Sequence, residues 1–303
     1  MDVIGLGALN YDKLYVVERT AKAGEEVGVI DVRGYPGGSA ANTIVGLARL
    51  GVSTGFIGIV GDDIEGKIIM DDFAAEGIDV SRIRRVRGSS GTALGLVDKH
   101  GERVLYIHPG VNDALSMDDE DINYANNAHF VHMSSFVDRG QLEMQVSLVE
   151  RIKTKVSFNP GMLCFKFSLE DLQPIIEKSD VIFLNDDEMD ALTSCDYESG
   201  SKALLELGTK TVATTLGEKG CYVADDKGAR LIAPCKTKVV DTTGAGDAFA
   251  AGFLYALLGE KSIYECGRLG NFFAARCISE YGARKGLPYK RDLEGFRSVN
   301  LNQ

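Results

Sequence analysis

The sequence carries no excess of positive charge: 33 Lys and Arg face 44 Asp and Glu, for a net charge of −11. A protein that tracks a nucleic-acid backbone shows a basic face or a basic balance, so no nucleic-acid partner is expected. One basic run stands out, Arg82-Ile-Arg-Arg-Val-Arg87. It reads either as a strand with outward, solvated arginines or as a contact for an acceptor that already bears a phosphate. The six cysteines form no Cys-x-x-Cys pair, which leaves no zinc or dithiol motif. No apolar run nears the ~18 residues of a membrane span. The opening Met-Asp-Val-Ile-Gly-Leu-Gly has no basic segment ahead of its apolar residues, unlike a signal peptide. A reduced, cytoplasmic protein with no membrane partner is expected. Linkers, repeats and low-complexity segments are missing too. His129-x-x-His132 lies in an apolar run with no carboxylate close in sequence, so packed or exposed rings are expected there, not a metal pair.

What is present is an alternation. Val3–Ala8, Phe56–Val60 and segments near 129–133, 155–158, 181–184, 211–214 and 221–224 are short apolar runs typical of buried strands. Between them, 39–50, 64–76, 141–152, 169–178, 186–192 and 199–207 read as helices, Ser39 serving as an N-cap candidate and Gly51 and Gly77 as stops. Alternating strands and helices imply an α/β fold with a mostly parallel sheet covered on both faces. Residues 13–18 with 27–33, and 92–98 with 103–108 around the turn Lys99-His-Gly-Glu102, break the alternation. They read as hairpin strands of a small separate sheet.

The segment that carries chemistry is Asp241-Thr-Thr-Gly-Ala-Gly-Asp247, placed after an apolar pair, Val239-Val240, that reads as a strand end and before a helix from Ala248 to Leu258. Gly244 and Gly246 let the backbone approach a ligand closely. A helix start offers unpaired N–H groups and a positive dipole end, which suit a phosphoryl group. Asp247 has two readings: a carboxylate that satisfies the helix dipole, or a general base facing an incoming hydroxyl.

Asp241-Thr-Thr-Gly-Ala-Gly-Asp-Ala-Phe-Ala-Ala-Gly-Phe253 resembles the C-terminal signature of the ribokinase-like (PfkB) family of sugar and nucleoside kinases. Pro36-Gly-Gly-Ser-Ala-Ala-Asn42 resembles its N-terminal Gly-Gly segment. The likeness runs from Gly5-Leu-Gly-Ala-Leu-Asn10-Tyr-Asp12 to Gly282-Ala283. It implies one kinase domain over 1–303, a three-layer α/β/α body, and a β-sheet lid built from about 13–35 and 92–108. It implies phosphate transfer from ATP, with Mg²⁺, to a sugar or a nucleoside. A homodimer paired through the lid hairpins is expected separately, because exposed β edges seek partners. Asp247 becomes the base, with Gly244, Ala245 and Gly246 as the anion hole. Asn10, Asp12, Gly37, Gly38 and Asn42 become acceptor contacts. Asn185, Thr215, Gly217, Gly220 and Asn271 become nucleotide contacts, and Glu188 acts near Mg²⁺, through water. Asp241 and Thr243, with Cys277, Glu280 and Gly282, match positions that hold a monovalent cation, such as K⁺, in some relatives. Two positions depart from ribokinases proper: Ser39 stands where they carry Lys, and the Glu they carry near Ser134-Ser135 is missing.

Two other motifs fail on chemistry. Gly61-Asp-Asp-Ile-Glu-Gly-Lys67 has P-loop spacing, but Ile68 cannot ligate Mg²⁺ and three acids would repel phosphate. Gly5-Leu-Gly-Ala-Leu-Asn10 begins like a dinucleotide fingerprint and ends in Asn, which disfavours a dehydrogenase. A binding protein without turnover on the same fold would have no need of Asp247.

Overall fold

The computed structural model describes residues 1–98 and 103–293. The first half runs β1 (Val3–Leu6), β2 (Asn10–Val17), β3 (Val29–Gly37), α1 (Ser39–Arg49), β4 (Thr54–Gly61), α2 (Ile64–Ala75), β5 (Asp79–Val86), β6 (Gly91–Val97) and β7 (Arg103–His108). Next come α3 (Asp119–Asn126), β8 (Phe130–Ser134), α4 (Arg139–Arg151), β9 (Lys155–Asn159), α5 (Leu169–Lys178), β10 (Ser179–Asn185) and α6 (Asp186–Thr193). The chain continues through α7 (Tyr197–Glu206), β11 (Thr211–Thr215), β12 (Cys221–Asp225), β13 (Gly228–Ile232), α8 (Ala245–Leu258) and α9 (Ile263–Cys277).

Nine strands form one sheet in the order β13-β12-β11-β10-β9-β8-β1-β4-β5. All its neighbours are parallel except β11 with β12 and β12 with β13. Successive side chains on a strand point to opposite faces, and the core divides accordingly. Val181 and Phe183 pack with α1, α2, α8 and α9, while Ile182 and Leu184 pack with α3 to α7. The second sheet, β3-β2-β6-β7, is separate. Both hairpin pairs expected from the sequence are in it, and β2 joins β6 in parallel. The expected turn at Lys99 to Glu102, with His100, lies outside the described residues.

Some elements differ from expectation. Val239 and Val240 do not end a strand: the chain is irregular from 233 to 240, and Val240 N–H reaches the Ile278 carbonyl at 2.8 Å beyond α9. The sheet edge nearest in sequence is β13 instead. The run at 82–87 lies along the edge strand β5 with Arg85 and Arg87 exposed, as the solvated reading expects, but Arg82 and Arg84 are drawn into ion pairs. Arg82 pairs with Asp118, Glu120 and Asp121, and Arg84 with Asp118, which ties β5 to the start of α3. His129 is exposed beside Asp2, and His132 is buried with Nδ1 3.0 Å from Ser157 Oγ. The P-loop-like turn folds as a capped helix start, Gly66 N–H donating to Asp63 at 2.8 Å. Among the described residues no helix is long and apolar enough to cross a membrane.

Candidate active site

Loops at the carboxyl ends of β1, β8, β9, β10 and β11 gather on one edge of the large sheet, where open α/β sheets bind ligands. Among the described residues the helix starts follow two patterns. Seven helices, α2 to α7 and α9, begin at an Asp, Ser or Asn whose side chain accepts a first-turn N–H. The other two, α1 and α8, begin at glycines, Gly38 and Gly244, with no side-chain cap. Both glycines have positive φ, 103° and 77°. A Cβ on Gly38 would lie 2.2 Å from the Ala8 carbonyl oxygen, and one on Gly244 would lie 2.5 Å from Ala283 Cβ. First-turn amides left without a cap are donors for a ligand. At Gly246 a Cβ would meet no atom within 4 Å. That glycine is demanded by no packing; its bare edge faces the cavity.

The two uncapped starts meet at Asp247, in the first turn of α8. Ser39 Oγ donates to its Oδ1 at 2.6 Å, and Asn42 Nδ2 donates to its Oδ2 at 2.8 Å. Ser39, expected to cap α1, is instead the first residue inside that helix, and its hydroxyl goes to the carboxylate. Thr43 Oγ1 holds the Asp247 carbonyl at 3.2 Å. Burial pushes the Asp247 carboxyl above the ordinary range, while the bonds from Ser39 and Asn42 and the charge of Arg284 pull it back. A carboxylate so placed can serve as a proton acceptor for a hydroxyl.

Asp247 stands in the wall between two cavities. One, of about 600 Å³, is lined by Asn185, Glu188, Thr215, Gly217, Gly244, Ala245 and Gly246 among others. The second, of about 490 Å³, is lined by Asn10, Asp12, Gly38, Asn42, Thr243 and Gly244 among others. Asp247 and Ser39 belong to both. Thus the structure brings the nucleotide candidates Asn185, Thr215 and Gly217 to one side of Asp247 and the acceptor candidates Asn10, Asp12, Gly38 and Asn42 to the other. Gly37 closes tightly over Asp12, whose Oδ2 would be 2.5 Å from a Cβ there. Asn112 donates to Asn10 Oδ1 at 3.0 Å. A further cavity of about 780 Å³, under the C-terminal ends of α1 and α8, holds none of these residues.

Other expected residues stand elsewhere or are already engaged. Asn271 is in neither cavity wall; it is buried, and its amide donates to the Ile232 and Ala233 carbonyls at 3.2 and 3.0 Å. Gly220 packs on the chain after β13, where a Cβ would lie 2.0 Å from the Ile232 carbonyl oxygen. Asp241 clamps two loops, accepting from Thr243 N–H and Gly282 N–H, each at 2.9 Å. Cys277 Sγ donates to the Thr243 and Ala283 carbonyls at 3.5 and 3.4 Å. These groups are engaged in fixing the loop that leads into Gly244. Asn185 and Glu188 form a reciprocal cap at the start of α6. Burial first, and then the nearby Asp247 and Asp187 charges, raise the Glu188 carboxyl.

Sequence reasoning missed Arg284. Its Nε donates to Asn42 Oδ1 at 2.7 Å, and its guanidinium pairs with Asp72. Nothing local signals this: Ala-Arg-Lys-Gly286 reads as a charged turn, and the partner lies 242 residues away.

A glycine-bare helix start beside a half-buried carboxylate, set between two cavities, suits phosphoryl transfer. Comparison with known proteins assigns the family. The pfkB family carbohydrate kinase model matches residues 2–290, and the chain belongs to that family. An uncharacterized sugar kinase of Archaeoglobus fulgidus is 43% identical over 251 residues, covering 82% of this chain and 100% of that one. An ATP-dependent ribose-1-phosphate kinase of Halopiger xanaduensis is 32% identical and covers 93% of each chain. The crystal structure of a ribokinase from Thermotoga maritima superposes with a TM-score of 0.88 at 26% identity, covering 98% of this chain and 99% of that one.

Proposed function

We propose that the protein transfers the terminal phosphate of ATP to a hydroxyl of a sugar or sugar-like acceptor. The observation that carries this reading is Asp247 in the wall shared by the two cavities. ATP occupies the cavity of Asn185, Thr215 and Gly217, its terminal phosphate at the bare start of α8. The acceptor lies against Asn10, Asp12, Gly37 and Gly38. Asp247 takes the hydroxyl proton as the acceptor oxygen bonds to phosphorus and the bond to the leaving ADP oxygen breaks. The Gly244–Gly246 amides stabilise charge on the transferring group, which moves through a loose transition state needing position and electrostatics more than covalent help.

No cluster of three or more acidic, His or Cys side chains able to cage a metal exists among the described residues. A Mg²⁺ ion held mainly by phosphates and water, with Glu188 behind the water, fits that set. The loop of Asp241 and Thr243, tied to Gly282 through the Asp241 carboxylate, is where a monovalent cation such as K⁺ would be held, largely by backbone oxygens. The small sheet serves as a lid that excludes water. Its edge strand β3 exposes Val29, Ile30 and Val32, a surface suited to pairing with a second copy; a monomer in sedimentation at micromolar concentration would argue otherwise.

A second reading concerns the acceptor. The exposed Leu105, Ile107, Val137, Met162 and Phe165 line the outer part of its cavity. An apolar mouth over a polar floor suits a nucleoside, ribose inward and base outward. A coupled assay with ribose, fructose, inosine, adenosine and cytidine, using ATP and ADP as donors, tests both readings. Turnover of at least one acceptor is expected. Nucleosides exceeding sugars would establish the second reading, and turnover of none would refute the function.

A further inference from the structure

Asn42 was expected to touch the acceptor, yet both ends of its amide are engaged within the protein. Nδ2 donates to Asp247 Oδ2 at 2.8 Å, and Oδ1 accepts from Arg284 Nε at 2.7 Å. An amide can face a neighbour with either end. An arginine only donates, so Arg284 holds Oδ1 and leaves Nδ2 toward the carboxylate. The arginine is itself fixed. Its side chain is 10% exposed and pairs with Asp72 of α2. A second guanidinium nitrogen approaches the Gly37 carbonyl at 3.4 Å, and the charged plane lies 5.7 Å from the Phe73 ring centre. Its own carbonyl accepts from Arg49, which is bound to Glu76 at 2.6 Å.

We infer that Arg284 is a positioning residue for phosphoryl transfer, locking the Asn42 amide so that it donates to Asp247 throughout the proton's arrival and departure. The inference rests on the proposed function. Asp247 alternates between carboxylate and carboxylic acid as it takes the acceptor's proton. Ser39, a hydroxyl that donates or accepts, can turn to suit either form. Asn42 cannot turn while Arg284 holds its oxygen, so one oxygen of the base keeps a fixed donor and a fixed direction. The charged groups around this relay come from several elements. Asp12, Asp72 and Asp247 attract Arg284, and Arg49 opposes it; Glu188 faces Asp247 from α6.

A double-mutant cycle on the full-length protein tests this: wild type, Arg284→Lys, Asn42→Ala and the pair, with kcat, KM for ATP and thermal melting measured for each. Lysine keeps the charge for Asp72 and loses the Nε donor. The expected result is a roughly tenfold fall in kcat for Arg284→Lys with KM for ATP within about twofold, and less than about twofold further loss when Asn42 is already Ala. An undiminished loss in the Asn42→Ala background would overturn the inference, as would an unchanged kcat in the single variant. Either would leave Arg284 as a clamp between α1 and α2 alone. Should Arg284→Lys fail to fold, Arg284→Gln, which keeps a neutral donor, is predicted to retain more kcat than Arg284→Met; equal activities would again overturn it. If wild type phosphorylates no acceptor, the proposed function falls first and this inference with it.

Discussion

Ser39→Ala removes one of the two side-chain donors to the Asp247 carboxylate, a contact of 2.6 Å. Burial already favours the protonated form of Asp247, and Ser39 is the first of the groups opposing it. A hydrogen bond to a charged group contributes about 1.5–3 kcal/mol. At about 1.4 kcal/mol per decade, its loss makes the carboxylate hold its proton roughly tenfold more tightly, or more. A water entering from the cavity would offset part of this, so the lower figure is the one to expect. Since only the deprotonated base accepts a proton, the acid limb of the kcat/KM profile moves to higher pH. Well above that limb the variant recovers most of its activity. Stability follows the same sign. A carboxyl whose folded value is raised costs stability as pH rises through that value, so the variant melts lower than wild type at neutral pH and the gap narrows in acid. A coupled assay of ADP release from pH 5 to 9 reads the first effect. An acid limb that stays in place while the rate falls equally at every pH would refute the reasoning, leaving Ser39 as an acceptor contact.

The two glycines of the proposed anion hole should separate activity from stability. Gly246→Ala adds a methyl that meets no protein atom. It should raise stability by about 0.5–1 kcal/mol in the helix while lowering kcat/KM about tenfold or more through the lost approach to phosphate; a lower melting temperature with full activity would contradict this. Gly244→Ala, at φ 77° and against Ala283, should cost about 1–3 kcal/mol in a melting experiment, and a neutral effect would contradict the clamp. His132 is buried, and desolvation pushes its pKa down from 6.5 to about 3. Its contribution to stability is therefore full above about pH 6.5 and lost as pH falls toward 3. His132→Asn should flatten the dependence of melting temperature on pH between 7 and 4, and parallel curves for the two proteins would argue against it.

Much of the large sheet was legible because several of its buried strands are apolar runs, and β10 shows why: Val181 and Phe183 serve one face, Ile182 and Leu184 the other. The edge strand β13, Gly-Ala-Arg-Leu-Ile and mostly exposed, carries no such run and was not expected. Where no such pattern exists, legibility failed. The helix α3 is Asp-Glu-Asp-Ile-Asn-Tyr-Ala-Asn, which has too few apolar positions for a stripe and is held by Asp118 and the Arg82 pairs. The segment before Asp241 contains an apolar pair that looks like a strand, yet its partner is the end of α9. Within the site, Gly244, Gly246 and Asp247 announced themselves because one short segment carries both the bare helix start and the carboxylate. Ser39 and Arg284 did not, because each acts on a partner more than 200 residues away. Asn271 shows the converse: a match in position gives no sight of the two carbonyls that occupy its amide.

The central claim is that Asp247 takes the proton of the acceptor hydroxyl, and Asp247→Asn tests it most directly. Asn is close in shape; its oxygen can accept from Asn42 and its amide can donate to the Ser39 hydroxyl, so the cleft should stay intact. ATP binding by calorimetry should remain within about threefold of wild type while kcat falls by about 10²–10⁴-fold, the usual worth of a general base. Retention of more than about a tenth of wild-type kcat, with binding unchanged, would contradict the account.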